Sequence, residues 1–367
     1  VDVKLQLWFI IGVKRKIQLE REECRGQKMF QSNYKPIDSR NWQGRVDSET
    51  NFDAFRWHQW IKPIDLMDKT LQPYKGKLGF AFIGFCCHEG VKLNKGRSGA
   101  ANGPVSIRKE LANLPCVFTK EVELFDAGNI FCEQISLEES QTLLAKTIEK
   151  ILDLNLFPIV LGGGHETALG NYKGVLANLK KKSKAPNIGI VNFDAHFDLR
   201  PYPNGGSSGT MFRQIADICK QDDLNYSYFC MGVQKHCNTV DLFKTADSLG
   251  VKYILAKDII DRDAWSILEE LDNFIKLQDY IYVTICADVF SSAYAPGVSA
   301  AQSLGLDPER VLKLLKYILK SEKVISFDIC EVSPRFDLDN TTADLASVVI
   351  FSLVSTLCHI NNLSVNI

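Results

Sequence analysis

The segment Asn192-Phe193-Asp194-Ala195-His196-Phe197-Asp198 sets two carboxylates and an imidazole at every second position behind the apolar run Ile188–Phe193. Alternation along an extended segment turns Asp194, His196 and Asp198 to one side. Carboxylates packed together repel one another and drive each other's pKa upward, and a hard or borderline divalent cation removes that cost. The pattern therefore reads as a metal centre. The alternative, a solvated strand end with incidental charges, fits poorly with the apolar run that feeds it.

Three further clusters follow apolar runs. Leu161-Gly162-Gly163-Gly164-His165-Glu166 comes after Phe157–Leu161, and its glycines permit close backbone approach, so that His165 can turn into a crevice. Alone, such a histidine reads as structural; paired with the Asp194 cluster it reads as a ligand. Tyr282-Val283-Thr284-Ile285-Cys286-Ala287-Asp288 precedes Ala295-Pro296-Gly297-Val298-Ser299-Ala300, with Cys286 and Asp288 on one strand face. In Ser326-Phe327-Asp328-Ile329-Cys330-Glu331-Val332-Ser333-Pro334-Arg335, Glu331 lies just beyond an apolar strand. There it can receive a cationic substrate group or act as a structural ion-pair partner.

These clusters must be positioned by a regular scaffold. Short apolar runs at Leu78–Phe85, Phe157–Leu161, Ile188–Phe193, Tyr228–Gly232, Tyr253–Ala256, Tyr280–Ala287 and Val324–Ile329 read as strands. Helical stretches between them include Gly103–Leu114, Leu137–Leu152 with Ser136 as N-cap, and Asp307–Ser321 with Pro308 at its start. Strands alternating with helices predict an α/β fold with a mostly parallel central sheet. The polar clusters then fall at C-terminal strand ends, where open α/β sheets bind ligands.

Composition narrows the partners. Hydrophobic residues make up 46% and charged residues 24% of 367 positions, so a large core can form, while a formal net charge of −1 lacks the basic footprint that nucleic acid requires. Leu5–Val13 is apolar but spans roughly half the length of a membrane helix. The cationic Lys14-Arg15-Lys16 lies on the wrong side of it for a secretory signal. Neither nucleic acid nor membrane is an expected partner. Residues 1–28 read as an extension whose native status the sequence leaves open, and 29–367 as one catalytic domain. The 11 cysteines are odd in number and form no CxxC pair, so most read as reduced thiols of a cytoplasmic protein.

The clusters together resemble the ureohydrolases: arginases, agmatinases and formimidoylglutamases. GGGHE at 162–166, DAHFD at 194–198, APGVSA at 295–300 and DICEVSPRFD at 328–337 follow the family's order, and the likeness covers nearly everything after about residue 40. Trp42-Gln43-Gly44-Arg45, Gly84-Phe85 with Glu89-Gly90, and the run from Asn94 to Pro104 resemble the formimidoylglutamase branch. Serines in Asn204-Gly205-Gly206-Ser207-Ser208-Gly209-Thr210 stand where arginases and agmatinases commonly place histidine.

The resemblance implies a three-layer α/β/α arginase-like fold and metal-dependent hydrolysis of N-formimidoyl-L-glutamate to L-glutamate and formamide, a step of histidine degradation. It implies two manganese ions, with His165, Asp194, Asp198 and Asp288 as ligands and His196 beside the second metal. Glu331 is implied to hold the amidine, and Asp198 to pass a proton to the leaving nitrogen. The implied substrate contacts are Arg97 for a carboxylate, the loop Ser207, Ser208, Gly209 and Thr210, and Gln234 with Asn238. Without the resemblance, a surface arginine is the lesser, alternative reading of Arg97. A homo-oligomer is compatible with the resemblance.

One position departs from the family: Cys286 stands where an aspartate bridges both metals. A thiolate can bridge too, though sulfur is softer and favours zinc or iron; a small buried side chain that ligates nothing is the other reading. Two further functions stay open, a ureohydrolase acting on a guanidino substrate and a metal-poor, non-catalytic relative.

Overall fold

Alternate residues of each strand enter two separate cores, and this builds the three layers. In the computed structural model, which describes residues 28–365, Phe80 and Phe82 of one strand pack on one side of the sheet, while Ala81, Ile83 and Phe85 pack on the other. The same division runs through Ile159/Val160, Val191/Ile190, Phe229/Tyr228 and Val283/Tyr282. Burying one such large apolar side chain contributes about 1.5–3 kcal/mol, so both faces must be covered by helices. The helices Gly103–Leu111, Ala264–Lys276, Pro308–Leu319 and Thr341–Ile360 cover the first face. Leu137–Asp153, Thr167–Lys180, Met211–Gln221 and Val240–Ser248 cover the second.

The strands, in chain order, are β1 (Tyr34–Lys35), β2 (Lys62–Pro63), β3 (Leu78–Cys86), β4 (Val122–Phe131), β5 (Phe157–Leu161), β6 (Ile188–Phe193), β7 (Ser227–Val233), β8 (Lys252–Leu255), β9 (Tyr280–Cys286) and β10 (Val324–Cys330). They lie in the order β1-β4-β3-β5-β10-β9-β6-β7-β8, with β2 beside β4; among the described residues only the β1–β4 strand pair is antiparallel. The seven strands expected from sequence are all present, and Ala256, expected at the end of β8, instead opens a helix. The expected extension lies, apart from Lys28, outside the described residues.

Local signals set the helix starts. Ser136 accepts from Glu139 N at 3.2 Å while Glu139 accepts from Ser136 N at 2.9 Å, a capping box whose loss costs about 1 kcal/mol. Asp307 accepts from Glu309 N at 2.8 Å ahead of Pro308. Thr341–Ile360 is long and apolar enough to cross a bilayer, yet it packs as a core helix against Gly103–Leu111 and Pro308–Leu319.

Three strands are not expected from the sequence, the two-residue β1 and β2 and the ten-residue β4, which contains Asp126, Gly128 and Asn129. The buried charge of β4 is answered by Arg108, whose Nε donates to Asp126 Oδ2 at 2.7 Å and whose Nη1 donates to Asn129 Oδ1 at 2.7 Å. Trp42 Nε1 also donates to Asp126, at 2.7 Å. A long-range ion pair of this kind hides a strand from any reading of hydropathy.

Candidate metal centre

Four adjacent central strands, β5, β10, β9 and β6, end at one place. Beyond β5, the backbone of the glycine turn is tied to its neighbours on both sides: Gly162 N donates to Ile329 O at 2.8 Å, Gly164 N to Cys87 O at 3.0 Å, and Glu331 N to Gly163 O at 2.8 Å. A Cβ on Gly163 would sit 1.8 Å from Cys87 O, so the turn can close only with glycine there. The turn delivers His165 with its Nδ1 2.9 Å from Asp194 Oδ2 and 3.1 Å from Asp198 Oδ2.

The convergence of Asp194, His196 and Asp198 has a cause other than strand alternation. β6 ends at Phe193, the chain bends at Ala195 and His196, and Asp198 adopts a left-handed backbone with φ 51°. Glu331, just past β10, is left-handed as well, with φ 66°. Such conformations in non-glycine residues cost on the order of 1 kcal/mol or more, and they gather at functional sites. Asp194 Oδ1 accepts from His196 N at 2.8 Å, and His196 Nδ1 lies 3.2 Å from Asp288 Oδ2. Cys286 ends β9, and a turn of 3-10 helix over Ala287–Val289 carries Asp288.

Candidate ligand atoms fall into two overlapping groups: those of His165, Asp194 and Cys286, and those of Asp194, His196 and Asp288, each within 4.8 Å of one another. A third, His165 with Asp328 and Cys330, is of a different kind. Asp328 already accepts from Thr284 Oγ1 at 2.6 Å, Asn171 Nδ2 at 2.8 Å, Cys330 Sγ at 3.3 Å and the Tyr282 hydroxyl, which leaves no oxygen for a cation.

Electrostatics favour a cation in the first two groups. Burial would raise the Asp194 carboxyl, but hydrogen bonds from His165 and His196 hold it well below the usual range. Burial, reinforced by the Asp194 charge, pushes Asp198 up to about 6, and burial with Glu166 nearby pushes Glu331 up to about 8. Burial also raises Asp288, and the carboxylates around Cys286 add to burial in keeping its thiol protonated. Asp288 Oδ1 and Glu331 Oε2 are buried with no hydrogen-bond partner. Orphaned carboxyl oxygens beside two imidazoles suit a divalent cation that takes oxygen and nitrogen ligands.

The centre opens into a cavity of about 280 Å³ lined by His165, His196, Asp198, Cys286, Asp288 and Glu331 on its acidic side. Of the residues expected as substrate contacts, Arg97 and Ser208 line it. Ser207 and Thr210 instead hold the turn behind it: Ser207 N donates to Thr210 Oγ1 at 2.8 Å. Gln234 and Asn238, expected as substrate contacts, do not reach the cavity. Asn238 Nδ2 donates to Ala195 O and Gln234 O, both at 2.9 Å, and its Oδ1 accepts from Phe197 N at 3.1 Å, so the amide braces the bent 194–198 segment from behind. Gln234 Nε2 donates to Leu304 O at 2.6 Å. The sequence reading assigned no role to Lys95, Arg200 or Ser299, which also line the cavity. Arg200 follows Asp198 by two positions, the spacing already noted within the motif.

The chain matches the Arginase family over residues 78–355. It is 68% identical to a formimidoylglutamase of Clostridium tetani over 336 residues, covering 91% of this chain and 99% of that protein. A formimidoylglutamase of a Geobacillus strain is 44% identical, covering 86% and 94%. Among solved structures, a formimidoylglutamase from Bacillus subtilis superposes with a TM-score of 0.72 at 22% identity, covering 86% of this chain and 96% of that one. A Trypanosoma cruzi formiminoglutamase solved with Mn2+ superposes with a TM-score of 0.68 at 23% identity, covering 79% and 97%. At these identities the two structures bear on the fold alone.

Proposed function

The chain belongs to the arginase family, and from that premise we propose that it hydrolyses N-formimidoyl-L-glutamate to L-glutamate and formamide at a manganese centre. The observation that carries this reading is the 68% identity to a formimidoylglutamase across 99% of that relative. The cavity agrees with it in polarity: acidic groups lie at its floor and three cations, Lys95, Arg97 and Arg200, at its rim. A substrate with a cationic amidine and two carboxylates matches both ends.

His165, Asp194, Asp198 and Asp288 would hold the manganese, with His196 and Cys286 close by. When bound, the cations supply the Lewis acidity that makes water a competent nucleophile near neutral pH. Glu331 accepts the amidinium and fixes the formimidoyl carbon for attack; His165 N holds its Oε1 at 2.9 Å and leaves Oε2 free for the substrate. Water adds to that carbon, the bond from carbon to the glutamate nitrogen breaks, and the leaving nitrogen takes a proton. Asp198, whose side chain lines the cavity, would carry that proton to the leaving nitrogen.

The test is turnover. Purified protein supplied with manganese should release formamide and glutamate from N-formimidoyl-glutamate in preference to hydrolysing arginine or agmatine. Equal or better turnover of arginine would overturn the assignment.

A further inference from the structure

The three rim cations are not equivalent. Arg97 is built into the wall: its Nε donates to Ser299 O at 2.9 Å, its Nη2 donates to Val298 O at 2.8 Å, and its guanidinium stacks 4.1 Å from the centre of the Phe336 ring. Lys95 and Arg200 line the same cavity, are exposed, and have no carboxylate partner among the described residues. Only the stem of Arg200 is fixed. Its backbone N–H donates to Gly209 O at 2.9 Å, which ties it to the turn that presents Ser208. A Cβ on Gly209 would lie 3.0 Å from Arg200 Cδ and 2.7 Å from Asn94 Oδ1, so the missing side chain of Gly209 leaves the room in which the arginine stem runs along the cavity wall.

An exposed arginine is by default a solvated one. Three cations around one small mouth repel each other, and a doubly anionic ligand converts that repulsion into attraction. A guanidinium carries five N–H groups in a planar fork that grips a carboxylate through two of them. Arg97 has committed two of those groups to carbonyls; among the described residues Arg200 has committed none.

Resting on the reading that the substrate is N-formimidoyl-glutamate, we propose that Arg200 is the specificity-determining contact for one of its two carboxylates. Lys95 adds charge to the same end, and Arg97 serves the other carboxylate from its fixed position. Arg200 thereby sets the requirement for a diacid, and an amidine with a single carboxylate loses one of the two anchors.

Binding of the product separates this proposal from the reaction. L-glutamate, L-glutamine and the α-amide isoglutamine are titrated calorimetrically into the manganese-loaded protein, its Arg200→Gln variant and its Arg200→Lys variant. Arg200→Gln should weaken glutamate by about 10- to 100-fold. It should weaken one amide to the same degree and leave the other within about twofold, because that amide has already lost the carboxylate that Arg200 holds. Arg200→Lys, which keeps a charge but not the fork, should recover part of the loss. Equal losses for all three ligands, no loss for glutamate, or no glutamate binding by the unaltered protein would each overturn the proposal. Failure of the functional reading shows separately, as absent hydrolysis of the formimidoyl compound.

Discussion

The Nε2 of His165 lies 3.0 Å from Thr284 Oγ1, and the threonine hydroxyl gives its own proton to Asp328 Oδ1 at 2.6 Å. Asp328 is saturated with donors and can only accept, so Thr284 must accept from His165 Nε2–H. Once a cation displaces the Nδ1 proton, the imidazole would present its Nδ1 lone pair to the space beside Asp194 and Asp198. Outer partners of this kind typically change metal affinity by about 10- to 100-fold. Thr284→Val, which keeps the shape and removes the hydroxyl, should weaken manganese binding within that range in a calorimetric titration. Unchanged affinity would show that packing alone orients the ring.

Removing a ligand side chain should empty the centre without unfolding the chain. His196→Ala and His165→Ala are each expected to lower manganese per chain in elemental analysis, with a far-UV spectrum like that of the unaltered protein, because both groups stand beyond the strand ends. Asp194→Ala carries a further cost, since Asp194 is wholly buried and receives the His196 backbone N–H. Losing a buried acceptor costs about 1–3 kcal/mol, so its melting temperature should fall furthest of the three. Full metal content in all three variants would mean the centre lies elsewhere.

What the sequence revealed and what it hid follow from how local each cause is. β5 and β6 were legible to the residue, because a buried parallel strand is a continuous apolar run. β4 was illegible because Asp126 is tolerated only through Arg108, a partner 18 positions away. At the centre, residue types single out His165, Asp194, His196, Asp198 and Asp288, and the structure brings these side chains together. The left-handed turn at Asp198 and the saturation of Asp328 depend on chain path and on neighbours from other strands. Gln234 and Asn238 are substrate contacts by resemblance alone; an amide after a strand suits a bracing role as well, and it takes the direction of Asn238 toward Ala195 O to tell the two apart.

Proton linkage gives manganese affinity a pH slope of definite sign. Burial disfavours charge on His165 and His196, yet the carboxylates around them raise both above the ordinary imidazole range. Asp198 and Glu331 are raised to about 6 and about 8. All four folded values exceed the unfolded ones, so in the metal-free protein their contribution to stability is complete below the unfolded pKa. For Glu331 that contribution is lost between about 4.3 and about 8. Ligands must shed protons to bind metal, so binding expels protons and tightens as pH rises. The manganese-induced rise in melting temperature should grow from about pH 6 to about pH 8, with proton release detectable by calorimetry in two buffers. A rise that shrinks over that interval would contradict the linkage.

Gly163→Ala should damage fold and site together. The added methyl would meet Cys87 O at 1.8 Å and Phe85 O at 2.7 Å, both backbone atoms of a neighbouring chain segment that cannot swing aside. Overpacking of this kind costs about 1–3 kcal/mol or more. Because Gly163 O also accepts from Glu331 N at 2.8 Å, the shift would propagate to Glu331. Thermal melting should fall by several degrees, with turnover falling further than stability alone accounts for. Wild-type melting would show that the turn can relax.

Cys286 offers the sharpest test of the centre. Its sulfur lies within 4.8 Å of the ligand atoms of His165 and Asp194 and lines the cavity, so it occupies ligand space and does not point into either core. Burial and the charges of Asp194 and Asp288 keep it a neutral thiol while no cation is present. A neutral thiol offers one soft donor, whereas an aspartate at the same place offers two hard oxygens and a full charge. A second manganese ion would depend most on that charge, since the remaining carboxylates would already be neutralising a first. Cys286→Asp should therefore raise manganese per chain and hydrolysis together. Cys286→Ala separates the remaining possibilities: if the sulfur ligates, the alanine variant binds less metal than the unaltered protein, and if it merely fills space, metal content stays the same. An aspartate variant that gains neither metal nor activity, beside an alanine variant that loses neither, would remove Cys286 from the centre and leave it as a packed thiol on the cavity wall.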